Sequence, residues 1–156
     1  MNTKRIGNIG EGVVLSELVK MGIPVYIQFG DNEAADFIII INTIPFKIQV
    51  KTSTSFDGEK TSFDLTSSTS HRKNGKKHKY SCEEVDMFFC YDVKKERVLL
   101  IENKGYMSGV VFRYTLPKNK QVNNINFANQ HTLCVETLHE ISNKVLDKEK
   151  VQTTNI

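Results

Sequence analysis

The stretch DFIIIINTIPFKIQV, from Asp36 to Val50, constrains the fold of this chain more than any other. Two apolar, largely β-branched segments flank NTIP, and that pattern predicts two strands joined by a tight connection. The first segment is continuous, which predicts a central strand covered on both faces. Three polar groups interrupt the apolar character: Asp36 at its start, Gln49 near its end, and Lys51 just beyond. Side chains alternate faces along a strand, so Lys47, Gln49 and Lys51 share one face and Ile48 and Val50 the other. A four-residue loop, Asn42 to Pro45, would pair Asp36 with Lys51. A two-residue loop, Asn42–Thr43, would set Asp36 opposite Gln49. Either places Asp36, Gln49 and Lys51 together, whereas a three-residue loop would separate them, because a one-residue slip flips every side chain.

The remaining elements follow from periodicity. Residues 9–22, IGEGVVLSELVKMG, read as a helix with Val14, Leu15, Leu18 and Met21 on one face, Asn8 as N-cap and Gly22 just past its end. Glu11 then falls in the first turn, where an acid also suits the helix dipole. Strands are expected at 24–29, 36–41, 46–50, 60–68, 85–93, 97–103 and 110–116, the pair 85–93 and 97–103 forming a hairpin. NNINFANQ reads as a short helical turn, and residues 135–148 as a second helix. The order predicts an α/β (α+β) domain with a mixed central sheet flanked by helices. A single domain over residues 1–148 is expected, with 149–156 as a flexible C-terminal tail.

Composition adds a few exclusions. A chain of 156 residues can bury a core without disulfides or a structural metal. Cys82, Cys90 and Cys134 lie far apart with no CxxC pair, which fits a reducing compartment. The longest apolar run is too short to cross a bilayer, and the N-terminus has no apolar signal core, so no membrane association and a cytoplasmic protein are expected. Net charge is only +3, but HRKNGKKHK, residues 71–79, concentrates five Lys/Arg and two His with no acid. Arg72, Lys73, Lys76, Lys77 and Lys79 are therefore candidate phosphate contacts to DNA, suited to affinity rather than base reading. Asp64 and Asp86, on later strands, read as structural, and Arg113 and Tyr114 suit a core flank or a DNA-facing position equally.

Cross-strand partners lie about 4.5–5.5 Å apart, the right scale for two oxygen ligands to share a cation. The Asp36 carboxylate, the Gln49 amide oxygen and a strand carbonyl would give a hard-oxygen site of the kind Mg²⁺ accepts. Glu11 would add charge if its helix packs beside the hairpin. Lys51 would sit next to the bound water and stabilise charge in phosphoryl transfer.

The arrangement Asp36–x12–Gln49–x–Lys51, with Glu11 on an upstream helix, resembles the PD-(D/E)XK nuclease superfamily. GEGVVLSELVKMGIPVYIQFGDNEAADF and IQVKTS are similar to the group I intron-encoded homing endonuclease branch, which carries Gln in place of the second motif acid. The resemblance is strongest over residues 7–53. It implies a restriction-endonuclease-like core, Mg²⁺-dependent hydrolysis of DNA phosphodiesters with Mn²⁺ as a substitute, and Glu11, Asp36, Gln49 and Lys51 as catalytic residues, the first three holding metal. Double-stranded or branched DNA is the implied partner. A homo-oligomer, dimer or tetramer, is expected because each scissile phosphate needs its own site. Two other readings fit the same residues: a Holliday-junction-resolvase-like nuclease, and a non-catalytic DNA-binding module on a nuclease-like core.

Overall fold

In the computed structural model, residues 2–29, 33–68 and 77–154 are described. The chain opens with helix α1 (Thr3–Lys20), which starts well before the expected Asn8. Asn2 is the N-cap, its side chain accepting from the Lys4 amide at 3.0 Å. Glu11 therefore lies in the middle of the helix and not in its first turn. The far end is as expected. Gly22 (φ 71°) donates to the Val19 carbonyl and Ile23 to the Leu18 carbonyl, the paired bonds of a Schellman motif.

Strands β1 (Val25–Ile27), β2 (Phe37–Ile41), β3 (Ile44–Ser53), β7 (Met87–Asp92) and β8 (Arg97–Glu102) form the main sheet in the order β1-β2-β3-β7-β8. Its pairings are antiparallel except for the parallel β3–β7 step. A second sheet orders β10 (Asn126–Phe127), β9 (Gly109–Arg113) and β4 (Lys60–Asp64), and β5 (Ser67–Ser68) pairs with β6 (Lys77–His78). A 3-10 turn (Ala128–Gln130) leads to helix α2 (Val135–Thr154), which continues past the expected Lys148.

The strand covered on both faces is β7, not β2. All six residues of MFFCYD are buried, whereas Ile38 in β2 is 39% exposed. Met87, Phe89 and Tyr91 join Val14, Leu18, Ile39, Ile48, Leu138 and Ile141 in a core beneath the helices. Phe88 and Cys90 join Phe63, Leu65, Leu99, Val110 and Phe112 in a second core beneath the small sheet. Each fully buried apolar side chain contributes about 1.5–3 kcal/mol, so β7 anchors both layers. At its end the buried Asp92 accepts from Thr61 Oγ1, from Tyr114 Oη at 2.8 Å and from the Lys94 and Lys95 amides, which ties the small sheet to the large one.

One glycine sets the approach of α1. A Cβ at Gly10 would lie 1.9 Å from Thr52 Oγ1 on β3, so the helix sits on the strand only because that atom is missing. Gly10→Ala is expected to destabilise the protein by about 1–3 kcal/mol despite the better helix propensity of alanine. Adding Thr52→Ala should return part of that loss, because the clashing hydroxyl is buried without a hydrogen-bond partner. Urea melts of the two single variants and the double variant measure the coupling; additive losses would refute this contact as the cause.

Candidate active site

The hairpin uses the two-residue connection. Phe37 pairs with Ile48 and Ile41 with Ile44, leaving Asn42 and Thr43 as the turn. Both have positive φ, 49° and 69°, the type I′ geometry that matches strand twist. One step beyond Phe37–Ile48, Asp36 faces Gln49. The Gln49 amide donates to Asp36 Oδ2 at 2.6 Å, and the Val50 amide donates to the same oxygen at 2.7 Å. The Asp36 backbone amide donates to the Ile48 carbonyl at 2.8 Å, which holds the residue in register past the end of β2.

Asp36, Gln49 and Lys51 all lie on the sheet face opposite the helices. Ile48 and Val50 fill the helix-side core, and Gln49 and Lys51 stand beside Phe88 and Cys90 on the other face. The site is half-buried, and its ionisation reflects this. Burial is the main cause that pushes the Asp36 carboxyl from 3.8 up to about 6; the charge of Glu11 adds to the rise, and the Val50 amide, Lys51 and Gln49 oppose it. Glu11 is an exposed residue on α1, next to the close contact at Gly10, and its field reaches Asp36. Burial also lowers the Lys51 ammonium pKa, while Asp36 and Asp64 pull it back up.

Two partners of Lys51 were not legible in the sequence. Its Nζ donates to the Thr66 carbonyl at 2.9 Å and lies 3.4 Å from Tyr80 Oη and 4.9 Å from the Tyr80 ring centre. Thr66 is turned toward Lys51 by Asp64, whose Oδ1 accepts from the Thr66 amide at 2.9 Å and hydroxyl at 2.6 Å. This local turn splits the strand expected over 60–68 into β4 and β5. Tyr80 is fixed by Asn103, whose Nδ2 donates to the Tyr80, Ser81 and Val85 carbonyls, and by edge contacts to His78 and Phe88. Tyr80→Phe is expected to slow any Lys51-dependent cleavage about fivefold, on the scale of one lost hydrogen bond, with an unchanged melting temperature. Parallel rate and melting measurements check this; equal rates would remove Tyr80 from the site.

The other candidates divide. Arg72, Lys73 and Lys76 lie outside the described residues. Lys77 pairs with Asp64, and Lys79 is exposed beside Tyr80. Asp86 Oδ2 accepts from the Lys47 amide at 2.7 Å, a structural role. Arg113 pairs with Glu59, and Tyr114 packs on Phe56 and donates to Asp92, which places both at the core flank.

The donor set suits a hard cation. The Gln49 amide nitrogen stands between two oxygens, Asp36 Oδ2 at 2.6 Å and the Val50 carbonyl at 3.2 Å. Oxygens that converge on one N–H donor group can also converge on a metal ion, and a half-turn of the amide would add Gln49 Oε1 to them. Among the described residues no group of three or more His, Cys, Asp or Glu side chains is placed to hold a metal, so any set here is mixed, with Gln49 and a backbone carbonyl.

A strand–turn–strand thus sets an acid opposite a glutamine, with a lysine two residues on and a helix acid within electrostatic reach. A family model described as PD-(D/E)XK endonuclease matches residues 1–134, and the chain belongs to that family. Nucleases of this family generally use divalent metal ions. The fold is also that of a solved bacterial homing endonuclease, I-Ssp6803I, at 20% sequence identity and a TM-score of 0.71, over 96% of this chain and 99% of that one. No curated protein sequence matches the chain. No described helix is long and apolar enough to cross a membrane.

Proposed function

We propose that the protein is a Mg²⁺-dependent DNA endonuclease that hydrolyses phosphodiester bonds at the Asp36–Gln49–Lys51 face. The observation that carries this reading is the convergence of Asp36 Oδ2, the Gln49 amide and the Val50 carbonyl beside Lys51. Asp36, Gln49 and the Val50 carbonyl would hold the ion, and Glu11 would add negative charge from α1. The ion, when bound, polarises the phosphate and lowers the pKa of its water.

The chain's own groups do the rest. Val50 N–H fixes one carboxylate oxygen, so Asp36 enters the site already oriented. The Lys51 ammonium, held by Thr66 and Tyr80, offers its charge where the phosphoryl group gains negative charge. The long apolar strands beneath hold these groups at fixed separations.

The substrate is DNA, in the manner of a homing endonuclease; the match of fold along nearly the whole of both chains supports this choice. Among the described residues one chain carries one such cluster, so a double-strand cut would take at least two copies. The open edge of β1, with Tyr26, Ile27 and Phe29 exposed, supports a homo-oligomer. The test is cleavage of supercoiled plasmid and of branched DNA with Mg²⁺, with Mn²⁺ and with chelator. Metal-dependent nicking is expected. Tight DNA binding with no cleavage under any metal would leave the binding-module reading in its place, and a strong preference for the branched substrate would favour a junction nuclease.

A further inference from the structure

The small sheet carries a second set of groups that the site above does not use. Between Glu102 and Glu136 the chain has no acidic residue, yet it includes Lys104, Arg113, Lys118 and Lys120. Part of this span folds around β9 and β10 into two adjoining grooves that share Arg113. The first, about 450 Å³, is lined by Lys60, Lys104, Asn124 and Asn126. The second, about 380 Å³, is lined by Arg97, Asn129 and Gln130. Neither groove has a carboxylate in its wall. Glu59 pairs with Arg113, so the net positive charge comes from Lys60, Lys104 and Arg97.

Cations interleaved with amide side chains, in open grooves without acids, match a polyanion with hydrogen-bonding edges. From this charge and its place on the fold we infer that the β9–β10 grooves bind the phosphate backbone of duplex DNA flanking the cut. The inference rests on the nuclease reading for its choice of polyanion. The position is consistent with one continuous footprint. Lys60 starts β4, and Thr66, just past its other end, holds Lys51. At about 3.3 Å per residue the grooves lie roughly 15–20 Å from Lys51. With about 3.4 Å per base pair, the contacted phosphates fall roughly five base pairs from the scissile one. These contacts would supply affinity on one side of the site, and the basic run that includes Lys77 and Lys79 would supply it near Lys51.

The experiment measures binding of a fluorescein-labelled random duplex of about 30 base pairs over a salt series, in chelator so that no strand is cut. For Lys60→Gln/Lys104→Gln, affinity at about 0.1 M salt should fall roughly tenfold and the log–log salt slope should shrink by about two. Lys144→Gln/Lys148→Gln on α2 makes the same charge change at a distance and should keep the wild-type slope. Lys104→Glu alone should weaken binding more than Lys104→Gln, and melting temperatures confirm that the variants fold. An unchanged slope in the groove variant, or an equal loss in the α2 variant, overturns the inference. Plasmid nicking by the wild-type protein with Mg²⁺ is scored separately. Nicking with an unaffected groove variant defeats the groove alone; binding through the groove without nicking under any metal defeats the catalytic reading alone.

Discussion

Asp36→Asn is expected to reduce cleavage by at least about 10³-fold and, in the same protein, to raise the stability of the metal-free state at neutral pH. The first effect follows from the carboxylate's place among the oxygens that would hold a cation, where loss of a charged ligand removes several kcal/mol of transition-state stabilisation. The second follows from burial. The folded-state pKa of Asp36 is about 6 against 3.8 for the free group, so the folded protein holds this proton more tightly than the unfolded chain. Below about pH 4 both states are protonated and the carboxyl costs nothing. As pH rises from about 4 to 6 the unfolded chain ionises first and stability falls; above 6 the loss is constant. The full shift corresponds to about 3 kcal/mol, and the weaker hydrogen bonds of an amide oxygen leave a net gain of about 1–2 kcal/mol for the variant. Melting curves at pH 8 should therefore favour the variant, and the advantage should vanish near pH 4. Saturating Mg²⁺ should stabilise the wild-type protein and leave Asp36→Asn almost unmoved. A variant that still cuts, or that melts below the wild type at pH 8 in chelator, would count against this account of the site.

Lys51→Ala carries the other large effect, an expected drop of about 10³-fold in turnover with little change in DNA affinity. Lys51 is one cation among many for binding, but it is the one held beside Asp36, with its Nζ fixed by the Thr66 carbonyl and Tyr80 hydroxyl. Burial makes its ammonium a stronger acid than an exposed lysine, so activity should fall on the alkaline side at a pH below 10.5. That alkaline limb should be absent from the residual activity of Lys51→Ala. Lys51→Met keeps the stem against Tyr80 and separates loss of charge from loss of packing. Single-turnover rates at saturating DNA, with binding measured in chelator, separate the two effects. A purely affinity-based loss would move Lys51 from the reaction to the footprint.

The hairpin was legible because strand alternation leaves few choices. Asp36, Gln49 and Lys51 fall on one face for either even loop, and only the left-handed conformations of Asn42 and Thr43 decide between them. The mixed sheet with flanking helices was legible from the order of elements, a helix, then several strands, then a helix. The start of α1 was not. Gly7 argues against a helix by propensity and Asn8 suits a cap, yet the helix runs back to Thr3 and is capped by Asn2. The β-branched run of β2 suggested cover on both faces, yet the layers packed above and below fix cover, and it is MFFCYD, beside the central β3, that faces both cores. Tyr80 and Asn103 escaped notice because their roles depend on partners far along the chain, Lys51 29 residues before Tyr80 and Tyr80 23 residues before Asn103, which no local pattern encodes.

The amide at position 49 has a consequence for how the protein exists between encounters with metal. A glutamate there would set two carboxylates against each other whenever no cation stood between them. Glutamine offers Asp36 a hydrogen-bond donor in that state and, after rotation about its last bond, could turn its amide oxygen toward a cation. The pocket thus satisfies its own hydrogen bonds without an ion, although the neutral amide leaves the charge of Asp36 uncompensated. Such a centre would hold a metal ion less tightly than a pair of carboxylates, so activity should follow the free metal level instead of persisting on a trapped ion.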